Sequence, residues 1–362
     1  MTMQSSTRPI TIFTPSFADV SSTNAQDLTV KEIVARLPPE LFRVIMICEN
    51  GADADPRIRS RENTRLVPYY KHGNAAQLLL RCLTAGPDVY FYPRAGPLER
   101  ALFALHKNLR LKTALVAHIV MVMNEVTGTG LIARSITEGD AVFANSDYVA
   151  ETVRNKFGVP ATTIYNGVDR RHFFCKDDRA HGNEGSGLTV LYAGSFQERK
   201  RVELVIQQAA RWPTVKFRLV GRGETESACR ALAEELHCEN VEFLGHRTPT
   251  ELGEEMRRAD VFLFPSVLEG HPQVLGQAAA CGLPAIAMNV YHPDYVVDGK
   301  TGFLAASDAD LAQKLDLLLS QPNLRQSMAA AATRHSRKFD WDEIAQQWIS
   351  VFQNVVAERR SA

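Results

Sequence analysis

The chain has no apolar run long enough to cross a bilayer, and it has no net charge: 41 Lys and Arg balance 41 Asp and Glu. The first absence argues against a membrane-spanning helix. The second removes the bulk electrostatic case for a nucleic-acid or polyanion binder. The opening segment, Met1 to Pro9, is polar and lacks the apolar centre of a secretory signal. The six cysteines (Cys48, Cys82, Cys175, Cys229, Cys238 and Cys281) are scattered, with no close metal-ligand pair among them. Reduced thiols in a cytoplasmic protein are therefore expected, with no structural metal and no disulfide framework. What is present is ordinary: 362 residues, 45% apolar and 23% charged, describe a globular protein with room for two domains.

Short β-branched or aromatic runs alternate with longer helical patterns. Ile10–Phe13, Val44–Cys48, Val89–Tyr92, Ala114–Ala117 and Ala141–Ala144 read as strands. Leu28–Leu37, Ala75–Leu83, Leu98–Lys107 and Tyr148–Phe157 read as helices between them. This alternation predicts a doubly wound α/β sheet. A hinge-like Asn166-Gly167-Val168-Asp169 follows, then a polar, glycine-containing stretch, Asp177 to Gly187, that suits a linker. A second series has strands at Thr189–Ala193, Lys216–Val220, Val241–Leu244, Val261–Phe264 and Ala285–Met288. Its helices fall at Val202–Arg211, Thr225–His237, Thr250–Arg258 and Gln273–Cys281. The tail from Asp308 is mostly helical, and Trp341 and Trp348 share one helical face.

Chemistry concentrates in the second half. Phe264 to Phe303 reads as a strand end, an acidic turn (Leu268-Glu269-Gly270-His271-Pro272) and a helix entry at Gln273. Backbone N–H groups left free at such an entry can receive an anion or a polyol, and Glu269 can accept from sugar hydroxyls or simply cap the helix. The small-residue run Gln277-Ala278-Ala279-Ala280-Cys281-Gly282 lets that helix lie close to its neighbours. Upstream, Tyr192-Ala193-Gly194-Ser195-Phe196-Gln197-Glu198-Arg199-Lys200 joins a strand to a glycine turn and a basic helix entry. Such a segment offers a diphosphate both charge and N–H donors, although a solvated helix start would look the same. Val220-Gly221-Arg222-Gly223 is a glycine turn, and it fits a nucleotide contact and a plain turn equally.

These motifs together resemble the donor-binding signature of retaining GT-B glycosyltransferases, glycosyltransferase family 4 (group 1). The resemblance is strong from Val190 to Gly302, moderate from His118 to Phe173 and weak before Asp88. It implies a GT-B architecture, two Rossmann-like halves facing a cleft. The implied divisions are an acceptor-side domain at 1–165, a nucleotide-sugar domain at 166–340, and a last helix at 341–362 that packs back on the first domain. It further implies that Glu269 binds the donor sugar, and that Lys200, with the Gly194 turn, holds the diphosphate, with Arg199 or Arg201 standing in for the family's arginine. Gly221, Gly223 and His246 would lie near the nucleotide, His246 through backbone atoms. The backbone of Gly270, His271, Pro272 and Gln273 would hold sugar or phosphate oxygens. His118, at a strand end, would face the donor sugar. The chain departs from the family pattern twice: Ser195 stands where the family has arginine, and Gln277, eight positions after Glu269, where it has a second glutamate that binds the ribose. Glutamine still donates and accepts hydrogen bonds without charge. At His271 relatives often carry an aromatic residue.

The implied function is transfer of a sugar from a nucleotide-sugar co-substrate, without a metal or other cofactor, to a glycan, lipid-linked or small-molecule acceptor. No nucleic-acid partner is expected. The alternatives are a non-catalytic nucleotide-sugar-binding protein and a nucleotide-sugar epimerase on the same fold. Asp53-Ala54-Asp55 mimics a metal-binding pair, and Gly128 to Ala133 mimics a dinucleotide loop; both read as coincidences of composition. Arg57, Arg59, Arg61 and Arg65, and the Lys107-Arg110-Lys112 cluster, read as solvated faces. The alternative for them is peripheral contact with the inner face of a membrane, the site of lipid-linked acceptors.

Overall fold

The computed structural model describes residues 8–22, 24–49, 51–69, 75–93, 97–109, 111–120, 130–175 and 187–361. The linker-like stretch from Asp177 lies outside these residues up to position 186, as does the start of the Gly128 loop. The chain divides into two compact units: Met1–Asn166 together with Trp341–Ala362, and Gly167–Asp340.

The first unit is built on a parallel sheet. Its strands are β1 (Ile10–Phe17), β2 (Phe42–Cys48), β3 (Thr64–Pro68), β4 (Val89–Tyr92), β5 (Ala114–Ile119), β6 (Ala141–Ala144) and β7 (Thr162–Thr163). They run in the order β3-β2-β1-β4-β5-β6-β7. Helices α1 (Ala25–Arg36), α2 (Pro56–Arg59), α3 (Ala75–Ala85), α4 (Pro97–Leu109), α5 (Leu131–Thr137) and α6 (Asp147–Phe157) connect them. Alternate strand residues enter opposite layers: Phe13, Tyr90, Tyr92 and Leu115 pack in one core, Ile12, Phe91 and Val116 in the other. Local chemistry marks the helix ends. Asn24 accepts from the Asp27 N–H at the start of α1, and Ser146 from Val149 at the start of α6; Gly158, in the left-handed region, closes α6.

The second unit follows the same rule with strands β8 (Thr189–Ala193), β9 (Lys216–Val220), β10 (Val241–Gly245), β11 (Val261–Phe264), β12 (Ala285–Met288) and β13 (Gly302–Ala305). Their order is β10-β9-β8-β11-β12-β13, all parallel. The helices are α7 (Val202–Arg211), α8 (Glu226–Glu235), α9 (Pro249–Arg258), α10 (Gln273–Ala280), α11 (Asp308–Ser320) and α12 (Pro322–His335). Thr248 and Glu251 form a reciprocal capping box at α9. The final helix, α13 (Trp341–Ser361), belongs to the first unit and packs on α1, β1 and β5.

Most elements stand where the alternation placed them. Strands β3, β7 and β13, and helices α2 and α5, lie outside that reading. β3, β7 and β13 end their sheets and carry weak apolar signals: polar Thr64-Arg65 opens β3, and β7 is two residues long. Two of the arginines after α1 are structural here, while Arg59 and Arg65 are exposed. Arg57 pairs with Glu32 and Asp55, and Arg61 donates to the Leu37 and Phe42 carbonyls. Asp55 caps α2 and holds Arg57, which accounts for it without a metal.

α13 seals its layer with Trp348, whose ring meets Phe91 at 4.8 Å, Phe143 at 5.2 Å and His118 at 4.9 Å. His118, on β5, is fully buried beneath it, with Nε2 3.3 Å from the Ile164 carbonyl. Burial pulls its pKa down to about 4, against the carbonyl contact that favours the cation. An unfolded imidazole takes up its proton near pH 6.5, while the folded one does so only near pH 4. Stability of this unit should therefore fall as pH drops through that window, by up to about 3 kcal/mol, and level off below it. In urea titrations from pH 7.5 to 4, His118→Phe, which keeps an apolar ring, should show a shallower fall than the unaltered protein. Parallel curves would show that His118 is not the titrating group.

Candidate active site

In open parallel sheets, ligands sit beyond the carboxyl ends of the strands where the order reverses. In the second unit that point lies between β8 and β11, since β9 and β10 extend one way from β8 and β11 to β13 the other. The segments after β8 and β11 carry the predicted residues, and the fold brings two of them together across about seventy residues of sequence.

After β8, Gly194 and Phe196 bond the chain leaving β9: Gly194 N–H donates to Val220 O at 3.0 Å and Phe196 N–H to Arg222 O at 2.9 Å. A side chain at Gly221 (φ +135°) would come within 1.8 Å of the Gly194 carbonyl oxygen, and one at Gly223 within 2.2 Å of the Phe196 carbonyl oxygen. Backbone approach alone thus accounts for both glycines. Beyond Ser195, one 3₁₀ turn (Glu198–Lys200) leads into α7. That turn aims Arg199 and Lys200 at the loop after β11, while Arg201 turns away to Asp308.

Glu269 Oε1 is the centre of this arrangement. It accepts from Lys200 Nζ at 2.5 Å, Ser266 Oγ at 2.5 Å and Arg199 Nη1 at 3.0 Å. Arg199 also donates to the Leu268 carbonyl at 2.7 Å, and Lys200 Nζ lies 5.0 Å from the Phe264 ring centre. Lys200 and Glu269 are each 8% exposed. Burial lowers the pKa of the Lys200 ammonium below its ordinary range, and the Glu269 charge opposes that shift. The result is a shielded acid–base pair, with the Arg199 guanidinium, 37% exposed, at its outer side.

Other expected residues lie around the pair with less commitment. Pro272 precedes α10, Gln273 is its first residue, and Gln277 is half-buried one turn further on. A side chain at Gly276 would come within 2.5 Å of the Tyr295 ring, so the small-residue run does allow close packing. His246 is exposed after β10, the outermost strand. His118 and His271, both expected at the donor site, pack as rings within their own units. His118 is sealed under Trp348, and His271 stacks on Tyr295 with centroids 4.0 Å apart and its side chain fully buried. Ser266 was not anticipated; its place three residues before Glu269, directly after Pro265, was the available signal.

The pair makes a thermodynamic prediction. Lys200→Ala leaves Glu269 with two partners and should cost the second unit about 1–3 kcal/mol. Glu269→Ala strands the Lys200 cation, so the double variant should lose less than the sum of the singles. Strict additivity in urea melts would mean that the two groups do not interact in solution.

Residues 27–172 match the family model for Glycosyltransferase Family 4, and residues 174–335 that for Glycosyl transferases group 1. The chain is 26% identical over 227 residues to an uncharacterized glycosyltransferase of Methanocaldococcus jannaschii, a match covering 62% of each chain. It is 30% identical over 244 residues to a D-inositol 3-phosphate glycosyltransferase of Mycobacterium tuberculosis, covering 62% of this chain and 50% of that one. The chain thus spans less than two thirds of either relative. In fold it is similar to sucrose-phosphate synthase from Thermosynechococcus elongatus (TM-score 0.76, 18% identity, 96% of this chain and 100% of that one). It is also similar to Anabaena HepE in complex with UDP and glucose (TM-score 0.74, 17% identity, 95% and 100%). With family models matching each half and two parallel α/β units of this kind, the chain belongs to the GT-B glycosyltransferases of family 4, group 1.

Proposed function

We propose that the protein is a retaining glycosyltransferase that moves a sugar from a nucleotide-sugar donor to a glycan, glycolipid or small-molecule acceptor. The observation that carries this reading is the meeting of Lys200, Arg199 and Glu269 at the switch point of the second sheet. A nucleotide sugar needs cations for its diphosphate and a carboxylate for its hydroxyls, a few ångströms apart, and this cluster has both. UDP-sugars are the first donors to consider, since HepE has been seen with UDP and with UDP-glucose.

In this reading the diphosphate draws Lys200 and Arg199, whose charge stabilises the negative charge developing on the leaving group without a metal. Glu269, relieved of part of its pairing, holds donor-sugar hydroxyls and fixes the anomeric carbon towards the acceptor. The free N–H groups at the start of α10 add donors, and Gln277 bonds the ribose. The bond from the anomeric carbon to the phosphate oxygen breaks as the acceptor oxygen bonds the same face, and the acceptor's proton passes to the departing phosphate.

Nucleotide release across UDP-, GDP-, ADP- and TDP-sugars, with sugar and lipid acceptors, tests the reading. One donor class should be turned over, and Lys200→Ala and Glu269→Ala should each lose about 100-fold or more in kcat. Saturable binding with no release would favour a non-catalytic nucleotide-sugar binder. Conversion of the donor without an acceptor would favour an epimerase.

A further inference from the structure

Beside Glu269, the rim of the second sheet carries polar atoms that its protein contacts do not use. β12 pairs with β11 in the register Phe264 to Ala287, so the residues just after β12 lie at the same edge as Ser266 and Glu269. Those residues form one 3₁₀ turn, Asn289–Tyr291, closed by His292 in the left-handed region at φ 44°. Tyr291 is 2% exposed, yet its hydroxyl has no hydrogen-bond partner among the described residues, and neither has the buried Oδ1 of Asn289. Buried polar groups are almost always bonded, and one left unbonded costs more than its bond would return. Burial raises the Tyr291 phenol well above its ordinary range, and the Glu269 charge adds to the shift.

We infer that Tyr291, with Asn289 beside it, is a specificity contact for the donor sugar: its hydroxyl bonds one sugar hydroxyl while Glu269 holds another. The inference rests on the donor-site reading above. It adds a second side of the sugar subsite, contributed by the turn after β12. A phenol can donate and accept, and an amide oxygen accepts, so the two together suit a hydroxyl better than a phosphate oxygen. A site built to bond a hydroxyl also rejects analogues that cannot supply one in the right place.

The test is calorimetric titration of the full chain and of Tyr291→Phe with UDP, UDP-glucose, UDP-galactose and UDP-N-acetylglucosamine. Thermal melting of both proteins without ligand accompanies it. The substitution removes one oxygen and keeps the ring. UDP affinity should stay within about twofold, while the extra affinity of the preferred UDP-sugar over UDP should fall about tenfold, the worth of one buried hydrogen bond. The ligand-free Tm should stay level or rise, because an unbonded polar atom has been removed. An intact sugar increment in Tyr291→Phe would overturn the Tyr291 assignment alone. A lowered Tm with UDP and UDP-sugar affinities reduced alike would mark the hydroxyl as structural and overturn it too. No sugar increment in the unaltered protein with these or with GDP-, ADP- and TDP-sugars would overturn the donor reading, and this inference with it.

Discussion

The reversal of strand order between β8 and β11 is the constraint on which the second unit's chemistry depends. Parallel strands need crossovers, and each crossover leaves a loop at a carboxyl end. Where successive crossovers run in opposite directions, two such loops separate and leave a gap between them. The loop after β8 brings Arg199 and Lys200 to that gap, and the loop after β11 brings Ser266 and Glu269. Arg199 and Lys200 would not be near Ser266 and Glu269 on any sheet order that separated β8 from β11.

The pair at that gap has two properties that a binding site needs and a purely structural ion pair does not. Its cationic side is over-supplied, with Lys200 and Arg199 both directed at one carboxylate oxygen. It is also largely desolvated, so an arriving anion would interact with the cations in a medium less screening than water. A ligand bearing both phosphate and hydroxyl groups could satisfy cations and carboxylate together. The glycines at 221 and 223 contribute indirectly, by letting the β8 and β9 loops close on each other so that the turn carrying Lys200 is held firmly.

Histidine shows how one side chain can read as chemistry in a sequence and act as packing in a fold. His118 and His271 both stand next to motif positions, and both are rings in aromatic layers, one with Trp348 and one with Tyr295. Burial favours the neutral imidazole, and a neutral imidazole packs much like a small aromatic. For His118 the cost of that use is sensitivity to acid.

The sequence by itself determined the fold class, most strand and helix positions, and the identities of Lys200 and Glu269 as the residues to watch. These are local properties: hydrophobic period, turn chemistry and motif spacing are written along the chain. It left the edge strands β3, β7 and β13 unread, because a short strand at the margin of a sheet needs few apolar residues to announce it. It could not show that Lys200 bonds Glu269, that Ser266 joins them, or that Arg201 turns to Asp308 instead. It could not show that His118 and His271 are buried, or that the turn carrying Tyr291 reaches the same sheet edge as Glu269 from a different crossover. Those facts depend on which strands become neighbours and which side of a sheet each loop leaves. Residues far apart in the chain meet only once the sheet order is fixed, so only the tertiary structure could decide them.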